Sequence, residues 1–237
     1  MWRKMKQNST AMFEKMKVKK TEESPEFQEA HEHYADMKKC SKDFIEQAES
    51  FVNLVSKIIP DFDEVCKNIK PVMDTIDDPK AQEFSKCLDQ MDSQLTSNGQ
   101  DFANKIIDQV IGPMKVLSTQ MTELGKVEKE HERMSLLLEA NKDKLAKLTQ
   151  KNKKPKEIEK YQQKVQDKTK TVADLESSFI NDVQTHWDNR AVLLQKPLSD
   201  LSLLMTEFGA MIRDASMPLQ QNIGNELMNK EYQEDAN

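Results

Sequence analysis

Glycine and proline are scarce in this chain of 237 residues, which holds five glycines and eight prolines. A β-rich fold needs tight turns at short intervals, and so few glycines cannot supply them. Cysteine is scarcer still: Cys40, Cys66 and Cys87 are odd in number and have no CxxC spacing. That excludes a dense disulfide framework and points to a reducing, cytoplasmic setting. No apolar run approaches the roughly 18 residues of a membrane span. The first twenty residues also lack the continuous apolar core of a secretory signal.

The vocabulary of catalysis is missing too. There is no phosphate-cradling glycine loop, no HExxH and no nucleophile elbow, and no spacing marks a catalytic carboxylate pair. His31 and His33 are two residues apart and point about 200° from each other around a helix, a poor metal pair. His131 and His186 read as structural or surface residues. The sequence therefore predicts no enzyme, no cofactor and no metal.

What is present is charge and helical periodicity. Charged residues make up 32% of the chain and hydrophobic ones 37%, a balance that suits long helices with narrow apolar seams. The net charge is -6, but it is uneven. Residues 1–20 hold seven Lys/Arg against one Glu, and residues 142–170 hold eleven Lys against four acids. Two basic islands on an acidic body favour an anionic partner locally. Nucleic acid is not expected, because no aromatic stacking platform lies among the lysines.

Three long helices follow from the periodicity. Ser24-Pro25-Glu26 is a helix start. From there Phe27, Ala30, Tyr34, Met37, Ser41, Phe44, Ala48, Phe51, Val55 and Ile58 recur at steps of three and four. Pro60 and Pro71 are expected to kink or interrupt this helix. Asp78-Pro79 repeats the start signal, and a second helix runs toward Gln150. Asn98-Gly99 weakens it and Gly112-Pro113 should bend it. The stretch KNKKPK (151–156) has no apolar residue and reads as a turn. A third helix follows Pro155, with a bend expected at Pro197, and the polar tail 229–237 frays. The expected division is a basic amphipathic segment at 1–22, a helical domain at 23–228 and the tail. So thin a bundle buries little alone, and a symmetric dimer is the simplest way to cover its seams.

In residues 1–20, Trp2, Met5, Met12, Phe13 and Met16 share one helical face, and Arg3, Lys4 and Lys6 belong to the surrounding charge. An isolated helix this short is marginal in water. It would fold with its apolar face in a lipid interface and its lysines on anionic head groups. A disordered basic tail and a helix docked on the body are the other readings.

The order of features resembles the N-BAR domains of the amphiphysin and Rvs family over about residues 1–225. It runs from the basic amphipathic start through KVKKTEESPEFQEAHEHYADMKKC, IGPMKVL, KVEKEHERMSLLLEANKDKLAKL and KNKKPK to NDVQTHWDNRAVLLQKPLSDLSLLMTEF. Where many amphiphysins carry an acidic-aromatic-acidic triplet, this chain reads Lys129-Glu130-His131. The resemblance implies an all-α fold: a long kinked three-helix antiparallel coiled coil forming a crescent-shaped homodimer with a six-helix core. It implies anionic phospholipid membranes as partner and curvature sensing or generation as function, in endocytosis or in membrane and actin remodelling. Small GTPases or actin-regulatory proteins are further candidate partners, and the setting is the cytoplasmic side of a membrane, bound peripherally. Many relatives carry an SH3 domain after this region, so a lone BAR protein and a fragment both fit. A coiled-coil scaffold for cytoskeletal or vesicle-tethering proteins, without lipid contact, is the competing reading. The candidate membrane-binding tip is Lys147, Lys151, Lys153, Lys154, Lys156 and Lys160, and the candidate concave face is Lys126, Lys129, Arg133, Lys142 and Lys144.

Overall fold

The structure, a computed structural model, describes residues 23–150 and 155–234, with side chains through Asn222. The described elements are helical: α1 (Pro25–Asp74), α2 (Pro79–Ile106), a π-helical turn (Ile107–Ile111), α3 (Gly112–Gln150), α4 (Pro155–Asp188) and α5 (Arg190–Glu234). The π turn joins α2 to α3 without a loop, and Asn189 alone separates α4 from α5, so the chain makes three helical stretches as its periodicity predicts.

Local chemistry sets the starts. The Ser24 hydroxyl accepts the Phe27 N–H at 3.2 Å, and the Asp78 carboxylate accepts the Lys80 N–H at 2.9 Å. Prolines open α1, α2 and α4, where a missing N–H costs nothing. Interior prolines lie within continuous helices. Pro60 and Pro71 lie inside α1 and do not interrupt it. A proline inside a helix costs about 3 kcal/mol, and the burial of Val55 and Cys66 around Pro60 offsets that locally. The expected bend at Gly112-Pro113 is the site of the π turn, where the Gly112 N–H reaches back five residues to the Ile107 carbonyl. Pro113 cannot donate to the Gln109 carbonyl and crowds it, and a widened turn accommodates both effects. The third stretch breaks at Asn189, whereas Pro197 sits buried within α5. At the break the Asn189 amide donates to the Thr185 carbonyl at 2.8 Å, and the Arg190 guanidinium donates to that of Trp187 at 2.5 Å.

The helices contribute to two compact units, and the chain passes between them at 40/41, 117/118 and 190/191. In the first unit α1 runs antiparallel to α3: Phe27 meets His131 at 4.4 Å between ring centroids, and His31 meets Glu128 at 2.5 Å. It runs parallel to α4, with Phe27 against Phe179 at 5.2 Å and His33 stacked on Trp187 at 3.8 Å. Phe179 is wholly buried at the centre, with the edge of Tyr34 5.7 Å away. Gly125 admits the Tyr34 ring: a Cβ there would overlap the Tyr34 hydroxyl and lie 3.4 Å from Cζ.

In the second unit Phe102 stacks on Phe208 at 4.6 Å, and Phe51 meets both edge-on. Val55, Ile106 and Val110 are fully buried beside them. A second cluster joins Met91, Leu95 and Ala215, with Phe62, Met211 and Leu219 packed on it. Ile58, expected in the α1 seam, is instead 45% exposed. The buried face runs through Phe51, Val55, Ile59 and Phe62, and a step of three from Val55 leaves it.

Candidate anionic-surface site

The basic residues of the first unit fall into three settings, fixed by helix phase and by neighbouring acids. On α3, Lys126, Arg133 and Lys144 are separated by seven and eleven residues, close to whole numbers of turns. They lie along one face, with Lys129 and Lys147 about 60° round from it. Lys142 sits two residues before Lys144, about 160° away, so the five candidate concave residues do not share one face.

The middle of α3 is internally neutralised. Lys126 bonds Glu123 at 2.5 Å, and Arg133 makes two bonds to Glu130, at 2.8 and 2.5 Å. That fork holds the Glu130 carboxyl below its usual range and raises the arginine. Lys142 bonds Glu139 at 2.8 Å. Lys129 lines a cleft of about 260 Å³ with Glu23, Glu128 and Glu132 as well as Phe27, His31 and His131. The cleft has more carboxylates than ammonium groups and is a poor place for an anion.

The α3–α4 hairpin end is different. The Lys144 and Lys164 ammonium groups lie over the Tyr161 ring, 4.7 and 4.9 Å from its centroid. The bond from Lys144 pulls the Tyr161 phenol below its ordinary value and raises Lys144. Two like charges thus approach one half-buried ring whose π face attracts both. Lys147, Lys156 and Lys160 are exposed and make no ion pair among the described residues. The uncompensated charge of the first unit therefore gathers at 144–164. Tyr161 stands three residues after Ile158 and four before Val165, the spacing of a seam position. Its role between two lysines emerges only from the pairing of α3 with α4, although Lys164 at i+3 is a local hint.

Lys151, Lys153 and Lys154 lie outside the described residues, as do Trp2, Arg3, Lys4, Met5, Lys6, Met12, Phe13 and Met16.

No helix among the described residues is long and apolar enough to cross a membrane. No family model matches the chain, and no curated protein matches it in sequence. Solved structures do. The chain is similar to the amphiphysin BAR domain from Drosophila, with a TM-score of 0.70 and 14% identity over 86% of this chain and 94% of that one. It is also similar to a BAR protein from Galdieria sulphuraria, with a TM-score of 0.60 and 15% identity over 86% and 99%. Helical stretches, registers and these likenesses agree: the chain has the fold of a BAR domain.

Proposed function

We propose that two copies of this chain form a crescent-shaped dimer. It attaches peripherally to anionic phospholipid membranes and senses or generates curvature there, in endocytosis or actin-linked remodelling. The carrying observation is the exposed, unpaired lysine group at the end of the α3–α4 hairpin, on a BAR-domain fold. It continues in sequence into Lys151, Lys153 and Lys154. The amphipathic segment 1–20 is read as a wedge that enters the lipid interface.

Dimerisation is supported by the surface of the second unit. Leu54, Ile58, Val65, Ile69 and Val72 are 39–64% exposed and share one face of α1. Leu198, Met205 and Ile212 repeat every seven residues on α5 and are 39–53% exposed. Leu54 lies three residues beyond Phe51, and Met205 three before Phe208, so the two stripes flank the same ring contact. Exposed apolar area on this scale marks an interface, and a second copy offers the matching one.

The test is cosedimentation with anionic and neutral vesicles, with Lys147, Lys151, Lys153, Lys154, Lys156 and Lys160 changed together to Gln. A lysine near such a surface contributes about 1 kcal/mol. If half of the six touch it, affinity falls by about a hundredfold at low salt. Unchanged binding would remove the hairpin end from the mechanism, and absence of wild-type binding to any vesicle would favour the protein-scaffold reading.

A further inference from the structure

In the second unit Phe102 faces Phe208, Lys105 faces Glu207 and Leu95 clusters with Ala215, so α2 and α5 run antiparallel. A groove of about 570 Å³ lies between them, from Gln94 to Lys105 on one wall and from Glu207 to Ala215 on the other. It is about 17 Å long, three turns of helix. Its floor is apolar: the stacked Phe102 and Phe208 rings at one end, then Met211 and Ala215. Its walls are acidic. Asp101 and Asp214 are exposed at the two rims. Asp101 makes no ion pair among the described residues. Asp214 meets Arg213 at 2.9 Å, but both are exposed, and such a pair holds its partners weakly. Lys105, the one ammonium in the lining, is already paired to Glu207 at 3.1 Å.

Charge separates the occupants open to such a groove. An anionic lipid surface would meet Asp101 and Asp214 with like charge. A second copy set face to face by a two-fold axis would bring acidic wall against acidic wall. A dimer built on the Leu198, Met205 and Ile212 stripe also leaves the groove open. Glu207 and Asp214 follow Met205 and Ile212 by two residues each, which places them about 160° round α5 from that stripe. What fits is apolar and cationic at once. We propose that this groove docks an amphipathic helix of a partner protein, with lysine or arginine bordering its apolar stripe. The apolar stripe lies on Phe102, Phe208 and Met211, and the cations reach Asp101 and Asp214. The spacing of those two carboxylates sets a pattern for the partner. With Phe102 level with Phe208, Asp101 is level with Gly209, and Asp214 lies about 7.5 Å further along the opposite wall. Cations five or six residues apart match that offset. They also stand about 120–140° apart around a helix, on the two borders of an apolar stripe of ordinary width. The docking does not rest on the membrane reading above.

The test uses the full-length protein without lipid and a fluorescent peptide of about 12 residues, the length of the groove. The peptide is built of leucine and lysine at helical spacing, with lysines on both borders of the leucine stripe. A second peptide carries glutamate in place of every lysine. Fluorescence anisotropy should show saturable binding of the lysine peptide, with a rise in helicity by circular dichroism, and binding of the glutamate peptide weaker by at least about tenfold. Asp101→Lys with Asp214→Lys should weaken the lysine peptide by at least about tenfold. Glu46→Lys with Glu64→Lys makes the same change in net charge at exposed positions of α1 outside the groove, and should leave most of the affinity. Ala210→Phe narrows the groove without touching a charge and should weaken binding as much as the Asp101 and Asp214 reversal does. Four results would overturn the proposal. The first is no saturable binding of the lysine peptide. The second is equal loss in the two charge-reversed proteins, the sign of unspecific attraction to an acidic chain. The third is full binding by Ala210→Phe. The fourth is a changed oligomeric state in the groove variants without peptide, which would make a second copy the occupant.

Discussion

Gly125 offers a sharp test of how the first unit is packed. In a helix interior, Gly→Ala should stabilise by about 1 kcal/mol, because alanine loses less backbone freedom on folding. At Gly209 nothing lies within 4 Å of the new methyl group, so Gly209→Ala should show that gain in full. At Gly125 the methyl group would overlap the hydroxyl of Tyr34. Tyr34 is 3% exposed, sits edge-on to Phe179 at 5.7 Å and accepts a bond from Lys38 at 2.9 Å. It has no room to move without disturbing these neighbours, and overpacking a core costs about 1–3 kcal/mol. Comparing the two variants cancels the propensity gain. Gly125→Ala should be less stable than Gly209→Ala by about 1–3 kcal/mol, read as a difference in urea midpoint at one protein concentration. Tyr34→Phe removes the overlapping oxygen, so the double variant Tyr34→Phe/Gly125→Ala should recover most of the loss relative to Tyr34→Phe alone. Equal stabilisation by the two alanines would refute the close approach of α1 and α3 at this point.

Further predictions concern the second unit and the first unit's core. Replacing Ile58 and Ile69 by Lys places four unpaired charges on the proposed dimer face of each dimer; the dissociation constant should rise by at least about a hundredfold in sedimentation equilibrium, and an unchanged dimer would move the interface elsewhere. Burial, and then the Asp63 carboxylate, push the Asp92 carboxyl above its ordinary value, and its Oδ1 is buried without a hydrogen-bond partner. A raised folded-state pKa means that the folded chain holds this proton more tightly than the unfolded chain, so Asp92 weakens the fold as pH rises from the unfolded value through the folded one. Asp92→Asn should therefore raise the urea midpoint at pH 7, by under about 1 kcal/mol, with no gain left at roughly pH 3. Phe179→Ala empties the centre of the first unit and should cost about 3–5 kcal/mol in chemical denaturation.

Much of this architecture was legible because its signals are local. Ser24-Pro25 and Asp78-Pro79 mark helix starts through bonds that reach only two or three residues, so no distant partner has to be known. Interior prolines carry no such certainty. Their local cost competes with burial that depends on the other helices, and α1 runs on through Pro60 and Pro71 while the third stretch breaks at Asn189. Ile58 shows the same limit: steps of three and four admit it to the seam, and only the packing of Ile59 and Phe62 fixes which face is buried.

The basic site divides along the same line. The excess of lysine at 142–170 can be counted in the sequence, but which lysines are already neutralised depends on neighbours. Glu123 and Glu130 precede Lys126 and Arg133 by three residues and bond them. That is a helix-surface pairing in which the partners need no tertiary fold. Lys144 and Lys164 have no such partner and instead converge on Tyr161 from two helices. The sequence places the charge, its own acids silence the middle of α3, and the α3–α4 pairing concentrates what remains at the hairpin end. The proposed attachment through that end would have a mechanical consequence. Force from a bound surface would enter the first unit through two paired helices and meet its first three-helix layer at Phe27, His131 and Phe179. That layer is where α1 begins and where Ser24 is bonded to Glu176, so the point that receives the load is also the point from which residues 1–22 depart.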